Sequence, residues 1–69
     1  MSITHFQMLL LDDMRETAPW EHECCNGAEK RSLSIMQEKG LVQSVNYANG
    51  LHWELTDKGL DAVAVGGLG

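Results

Sequence analysis

With 69 residues, the chain has room for one small domain, and a core of this size is only marginally stable by itself. Hydrophobic residues make up 43% of the chain, which argues against disorder, and no apolar run approaches the roughly 18 residues that cross a bilayer. The net charge of −5 argues against tight binding to the phosphate backbone of nucleic acids.

The cysteines and the start of the chain indicate a compartment. Cys24 and Cys25 are adjacent, and a disulfide between neighbouring cysteines strains the backbone, so the sequence predicts free thiols in a reducing environment. The first residues lack the basic start and apolar stretch of a secretory leader. We therefore expect a cytoplasmic protein without membrane contact. Its single domain is predicted over residues 1–65, with a flexible glycine-rich tail over residues 66–69.

Two helices are predicted in the first third of the chain. The first covers residues 3–16, with Ser2 or Thr4 as its cap. A second, short helix over residues 19–25 turns Trp20 and one cysteine inward, and Asn26-Gly27 is predicted to be a turn. The buried stripe predicted for the first helix repeats at spacings of three and four and is widened by one neighbour: Ile3, Phe6, Leu9, Leu10 and Met14.

A third helix is predicted over residues 28–39 and ends before Gly40, which takes the left-handed conformation. Leu33 and Met36 form its apolar edge, with Ala28 and Ile35 beside them.

A hairpin and a last helix complete the predicted order. The strands cover residues 41–47 and 51–55, with Asn49-Gly50 as the tight turn between them. In the second strand one face is predicted to be buried (Leu51, Trp53 and Leu55) and the other exposed (His52 and Glu54). Thr56 caps the last helix, which turns Leu60 and Val63 inward.

Two segments carry a resemblance to a known fold. In the first, large apolar residues precede a glycine by seven and four positions and a Leu-Val pair follows it: Leu33, Met36, Gly40, Leu41 and Val42. The second, residues 53–59, reads Trp-Glu-Leu-Thr-Asp-Lys-Gly, an aromatic-x-Leu-Thr-x-x-Gly pattern. Together they resemble the recognition helix and the wing exit of winged-helix regulators of the MarR, PadR and ArsR types.

The resemblance covers residues 28–64 and implies an α+β fold that is mainly α. That fold is a winged helix with three helices, a two-stranded β-hairpin wing and a C-terminal helix. Two features depart from the family. The wing segment, residues 46–50, contains no Arg or Lys, and the chain lacks the extra helices through which MarR-type regulators dimerise.

Winged-helix regulators place the first half of the recognition helix in the major groove of DNA, with the wing beside it. The resemblance therefore implies a small DNA-binding transcription regulator of phage or bacterial origin that acts on duplex DNA. Because a single domain of this kind binds DNA weakly, we expect either a homodimer or a partner protein. The residues that would contact DNA or another partner are Lys30, Arg31, Ser32, Ser34, Asn46, Tyr47 and Asn49.

The distribution of charge supports a different partner. Residues 1–26 carry five acidic side chains against Arg15 alone, whereas acids and bases balance in residues 27–58. Such a patch can imitate the charge of nucleic acid and occupy a basic groove on another protein. This alternative is an acidic, protein-binding winged helix that acts as a phage-encoded inhibitor of a host nucleic-acid machine, by analogy with anti-CRISPR proteins. Its contact residues would be Asp12, Asp13, Glu16, Glu21 and Glu23. Both hypotheses stay open at this point.

Catalysis and metal binding find no support in the sequence. No nucleophile is accompanied by a base, and no glycine-rich loop for a phosphate is present. His5 and His22 could join the cysteine pair as ligands, but adjacent cysteines chelate zinc poorly. We expect neither an enzyme nor a cofactor nor a metal site.

Overall fold

The computed structural model describes residues 3–65, so that Ser2 and the predicted tail, residues 66–69, lie outside the described residues. The α+β class is confirmed. The described residues hold three α-helices and one antiparallel sheet of three strands. In chain order the elements are helix α1 (His5–Thr17), strand β1 (Trp20–Glu21), a 3-10 turn (His22–Cys24), helix α2 (Gly27–Glu38), strands β2 (Val42–Tyr47) and β3 (Gly50–Leu55), and helix α3 (Asp57–Ala64).

Helix α1 begins at a pair of reciprocal hydrogen bonds. The backbone N–H of Gln7 donates to the Thr4 hydroxyl (3.1 Å), and the Thr4 N–H donates to the Gln7 side-chain oxygen (3.2 Å). This capping box satisfies two backbone donors that a helix start otherwise leaves open. Of the two residues predicted as the cap of this helix, Thr4 is the one that caps it.

The stripe that α1 buries differs from the predicted one. Its buried residues are Gln7, Leu10, Leu11 and Met14, whereas Phe6 and Leu9 are 43% and 53% exposed. The two possible stripes share Leu10 and Met14 and differ by a rotation about the helix axis. The packing of the domain selects the rotation that buries Leu11 completely, so the predicted burial of Phe6 and Leu9 is wrong.

The second predicted helix, over residues 19–25, is absent. In its place Trp20–Glu21 pairs antiparallel with β3, with Trp20 opposite Trp53 and Glu21 opposite His52. A strand forms because the free edge of β3 offers hydrogen bonds to a passing backbone. The predicted hairpin is therefore part of a three-stranded sheet in the order β1-β3-β2. Trp20 packs against the core and Cys25 is buried, as the sequence predicts.

Helix α2 starts one residue earlier than predicted. Asn26 is its cap and Gly27 its first residue, so the predicted turn at this pair is wrong. The Glu29 N–H donates to the Asn26 side chain and the Asn26 N–H to the Glu29 carboxylate, both at 2.8 Å. Leu33 and Met36 are fully buried, as predicted, whereas Ala28 and Ile35, predicted beside them, are exposed.

The end of α2 is held by residues that follow the sheet. Gly40 has a φ of +78°, which confirms the predicted left-handed position. The Lys58 ammonium donates to the Lys39 carbonyl at 3.0 Å, and the Thr56 hydroxyl donates to the Gly40 carbonyl at 2.5 Å. These bonds satisfy carbonyls that the last turn of a helix leaves without an intrahelical partner.

The turn between β2 and β3 consists of Ala48 and Asn49, one residue before the predicted position. Tyr47 pairs with Gly50, the first residue of β3, which has a positive φ of +119°. The glycine is needed at the first residue of β3 because side chains disfavour that backbone conformation.

The burial of β3 follows the predicted alternation only in part. Trp53 is 4% exposed, as expected, but Leu51 at the turn end is 36% exposed and His52 is only 6% exposed. The His52 ring lies edge-on to Tyr47, with centroids 5.0 Å apart, and its Nδ1 lies 2.9 Å from the Gly50 carbonyl. Neighbours on its own face thus cover a residue that alternation places toward solvent.

Helix α3 is capped by Thr56, as predicted, because the Gly59 N–H donates to its hydroxyl at 3.1 Å. Val63 is buried, as predicted, whereas Leu60 is 44% exposed, so the prediction that Leu60 packs inward is wrong. Contacts with α1 and β3 place α3 against both. No helix in residues 3–65 is long and apolar enough to span a membrane.

Candidate partner-binding surfaces

Four residues of α2 are predicted to contact DNA or another partner, and two of them are exposed on its outer face. Arg31 and Ser34 are exposed, whereas Lys30 and Ser32 are half-buried. Leu33 and Met36 anchor the opposite side of the helix in the core, so residues near Arg31 face solvent. Glu38 lies two turns further along the same face and is also exposed, so this face carries one positive and one negative side chain at its two ends.

The three residues predicted at the wing, Asn46, Tyr47 and Asn49, are exposed, but they do not lie on one common surface. Alternation along β2 places Asn46 and Tyr47 on opposite faces of the sheet. The Tyr47 hydroxyl donates to the Glu54 carboxylate at 2.8 Å, and this hydrogen bond raises the pKa of Tyr47. Tyr47 is therefore held along the sheet, while Asn49 lies in the turn itself.

Carboxylates lie beside the hairpin of β2 and β3. Glu21 and Glu23 share a concavity of about 170 Å³ with Asn49 and Leu51 at the tip of the hairpin. Glu54, on β3, accepts the hydrogen bond from the Tyr47 hydroxyl of β2. Residues 40–57 contain neither Lys nor Arg. A phosphate group that approached this hairpin would thus meet negative charge, with no Lys or Arg in the two strands or their turn.

The structure brings part of the predicted acidic patch together in a second concavity, here called the acidic concavity. It has a volume of about 360 Å³ and lies where the end of α1, strand β1 and the start of α2 meet. Three carboxylates from these three elements line it: Asp13, Glu21 and Glu29. Pro19, Trp20 and both cysteines complete its lining. Asp12 and Glu16 are exposed on α1 but do not line the concavity.

Glu29 is the member that the sequence interpretation missed. In the sequence its negative charge is balanced by the basic residues that follow it, Lys30 and Arg31. In the structure its carboxylate accepts a hydrogen bond from the Asn26 N–H in the capping box of α2. The capping pattern itself was the available signal, because it places an acid in the first turn of the helix that follows the acidic segment.

Asp12 has a different role from its neighbours. Its carboxylate forms an ion pair with Arg15 at 3.0 Å, and both groups are exposed. Arg15 thereby neutralises Asp12 and leaves Asp13 and Glu16 as the uncompensated acids of α1 within the described residues. An exposed pair of this kind contributes little to stability.

Both thiols are free, and the environment of each disfavours the thiolate. The Cys24 sulfur lies 3.7 Å from the Glu21 carboxylate, whose charge is the main cause that raises the pKa of Cys24. Burial is the main cause that raises the pKa of Cys25, whose Sγ donates to the Glu21 carbonyl at 3.4 Å. Residues 3–65 contain no group of three or more His, Cys, Asp or Glu side chains placed to hold a metal ion.

We expect Cys24 to react slowly with iodoacetamide at pH 8, because only the thiolate attacks and its pKa is raised. Glu21→Gln removes the largest cause and should accelerate alkylation of Cys24 severalfold, as measured by mass spectrometry of the cysteine peptides. Glu38→Gln, on the outer face of α2, is the matched control. Equal rates in the two variants would contradict the role of Glu21.

Apolar side chains are also exposed on α1. Phe6 and Leu9 lie in the half of the helix that precedes Asp12 and Asp13. Their exposure is compatible with the expected homodimer, but residues 3–65 show nothing that covers them.

Comparisons of the chain with protein families, with curated proteins and with solved structures found no match.

Proposed function

We propose that this chain is a variant of the winged helix that binds a basic surface of a nucleic-acid-binding protein. The proposed fold is supported by a contact between the two segments that resemble winged-helix regulators. Gly59 packs directly on the backbone of Leu41, and the Thr56 N–H donates to the Leu41 carbonyl at 3.1 Å. Relative to the family, the second helix is reduced to a 3-10 turn and a strand is added to the wing.

The observation that carries the choice of partner is the negative charge around the wing. Glu21, Glu23 and Glu54 lie beside the tip or along the strands of the hairpin, with no cation between residues 40 and 57. Proteins that bind duplex DNA need cations where the phosphates pass. A basic protein surface, in contrast, is attracted by this arrangement.

The acidic concavity supplies a place for a cationic side chain of the partner. Its three carboxylates are spread over three elements, and Trp20 also lines it. The Trp20 indole N–H is already used, because it donates to the Thr17 hydroxyl at 2.7 Å. The remaining ring surface suits an arginine, since a guanidinium group stacks on aromatic rings and pairs with carboxylates.

DNA binding remains a second candidate because of one observation, the exposure of Arg31 and Ser34 on the outer face of α2. An arginine at this place in a recognition helix reads a guanine base. Two other basic side chains are engaged within the protein and add little to DNA binding. Arg15 is paired with Asp12, and Lys58 donates to the Lys39 carbonyl.

Two titrations followed by fluorescence anisotropy separate the candidates, both at about 50 mM salt, where screening is weak. The probes are a labelled duplex DNA and a labelled octa-arginine peptide. We expect saturable binding of the peptide that weakens with added salt, and no binding of the duplex at tens of micromolar protein. Binding of the duplex that is lost in the double variant Lys30→Ala, Arg31→Ala would overturn the proposal in favour of the regulator.

A further inference from the structure

One long-range hydrogen bond joins the 3-10 turn to the buried centre of the sheet. Trp53 Nε1 donates to His22 Nδ1 at 3.0 Å, and the two ring centroids are 5.9 Å apart. Trp53 is 4% exposed and His22 is half-buried. The bond therefore connects the segment that carries Glu21 and Glu23 to a core residue of β3.

This hydrogen bond requires a neutral histidine. An indole nitrogen can only donate, so Nδ1 of His22 accepts and the ring proton is on Nε2. A protonated imidazole carries hydrogen on both nitrogens and cannot accept. Protonation of His22 would thus leave the buried indole N–H of Trp53 without its partner, which is unfavourable.

The charged groups near His22 offer the protonated ring an alternative partner. Glu21 and Glu23 flank it and line the same concavity of about 170 Å³, to which the hairpin contributes only the uncharged Asn49, Gly50 and Leu51. An imidazolium ion would be drawn from Trp53 toward these carboxylates. Cys24, on the same turn, keeps its thiol against Glu21.

The titratable groups of β3 do not oppose the change. Alternation places His52 and Glu54 on the face of the sheet opposite Trp53. Nδ1 of His52 lies 2.9 Å from the Gly50 carbonyl, so it donates there, a role that it fills in either charge state. The Glu54 carboxylate accepts a hydrogen bond from the Tyr47 hydroxyl on that same face.

We propose that the His22–Trp53 hydrogen bond is an acid-sensitive contact that holds β1 and the 3-10 turn on the sheet. The neutral ring makes the bond, so its stabilisation is present while His22 is neutral and is lost when acid protonates the ring. Acid then releases the segment that carries Glu21 and Glu23. This inference does not depend on what the partner is.

Thermal unfolding at pH 7.5 and pH 5.5 tests the contact, because histidine is the side chain type that ordinarily changes its charge between these two pH values. We expect the midpoint of the wild-type protein to be lower at pH 5.5 by roughly 5 °C. His22→Gln keeps an acceptor oxygen that cannot be protonated, and should remove more than half of that difference. His5→Gln, at an exposed position of α1, is the control and should keep all of it.

Nitrogen-15 NMR of the wild-type protein provides an independent measurement. At pH 7.5 the His22 Nδ1 resonance should have the chemical shift of an unprotonated nitrogen, and the Trp53 indole N–H resonance should move as His22 titrates. A protonated Nδ1 at pH 7.5 would overturn the proposal, as would an unchanged difference in midpoint in His22→Gln. If that variant does not fold, the wild-type resonance alone decides.

Discussion

Alanine in place of Gly59 is expected to destabilise the protein by about 3 kcal/mol, enough to unfold much of a domain this small. Gly59 is buried in α3, and a Cβ atom there would overlap the carbonyl oxygen of Leu41. The clash is with backbone, which cannot move as a flexible side chain would. Leu41 is held on both sides, since its N–H donates to the Met36 carbonyl at 2.9 Å and its own carbonyl accepts from Thr56.

Urea denaturation followed by circular dichroism measures this loss as a lower midpoint. Gly27→Ala is the matched control, because a Cβ at the first residue of α2 meets nothing within 4 Å. It should leave the stability unchanged or slightly increase it, since alanine has less backbone freedom than glycine in the unfolded chain. A Gly59→Ala protein as stable as wild type would mean that α3 does not pack on Leu41.

The second large effect is expected in partner binding. A triple variant, Asp13→Asn, Glu21→Gln and Glu29→Gln, removes the three charges of the acidic concavity with almost no change in side-chain shape. A solvent-accessible carboxylate contributes roughly 0.5 kcal/mol to an ion pair, so the loss of three should lower the affinity for the octa-arginine peptide roughly tenfold. Gln at position 29 retains the oxygen that accepts the Asn26 N–H, so α2 keeps its capping box.

A control variant separates the acidic concavity from overall charge. Glu38→Gln, Asp57→Asn and Asp61→Asn change the net charge by the same amount, at exposed positions on α2 and α3 that do not line the concavity. This variant should bind the peptide nearly as well as wild type. An equal loss in both variants would show that the peptide responds to net charge alone and would remove the concavity from the proposed function.

The sequence by itself determines the features that depend on neighbouring residues. The cap at Thr56, the left-handed Gly40 and the buried pair Leu33 and Met36 all follow from hydrogen bonds or periodicity within one or two turns. The acidic character of the first third of the chain is likewise a property of composition. For these, the local free energy and the tertiary packing favour the same conformation.

Only the tertiary structure decides the features that depend on distant residues. The first helix has two possible apolar stripes, and the domain buries the one with Leu11. Residues 20 and 21 become a strand because β3 provides a partner 31 or more positions away. The same pairing brings Glu21 beside Asp13 and Glu29 and sets His22 against Trp53. No local pattern encodes these contacts, because their energy exists only when separate segments pack together.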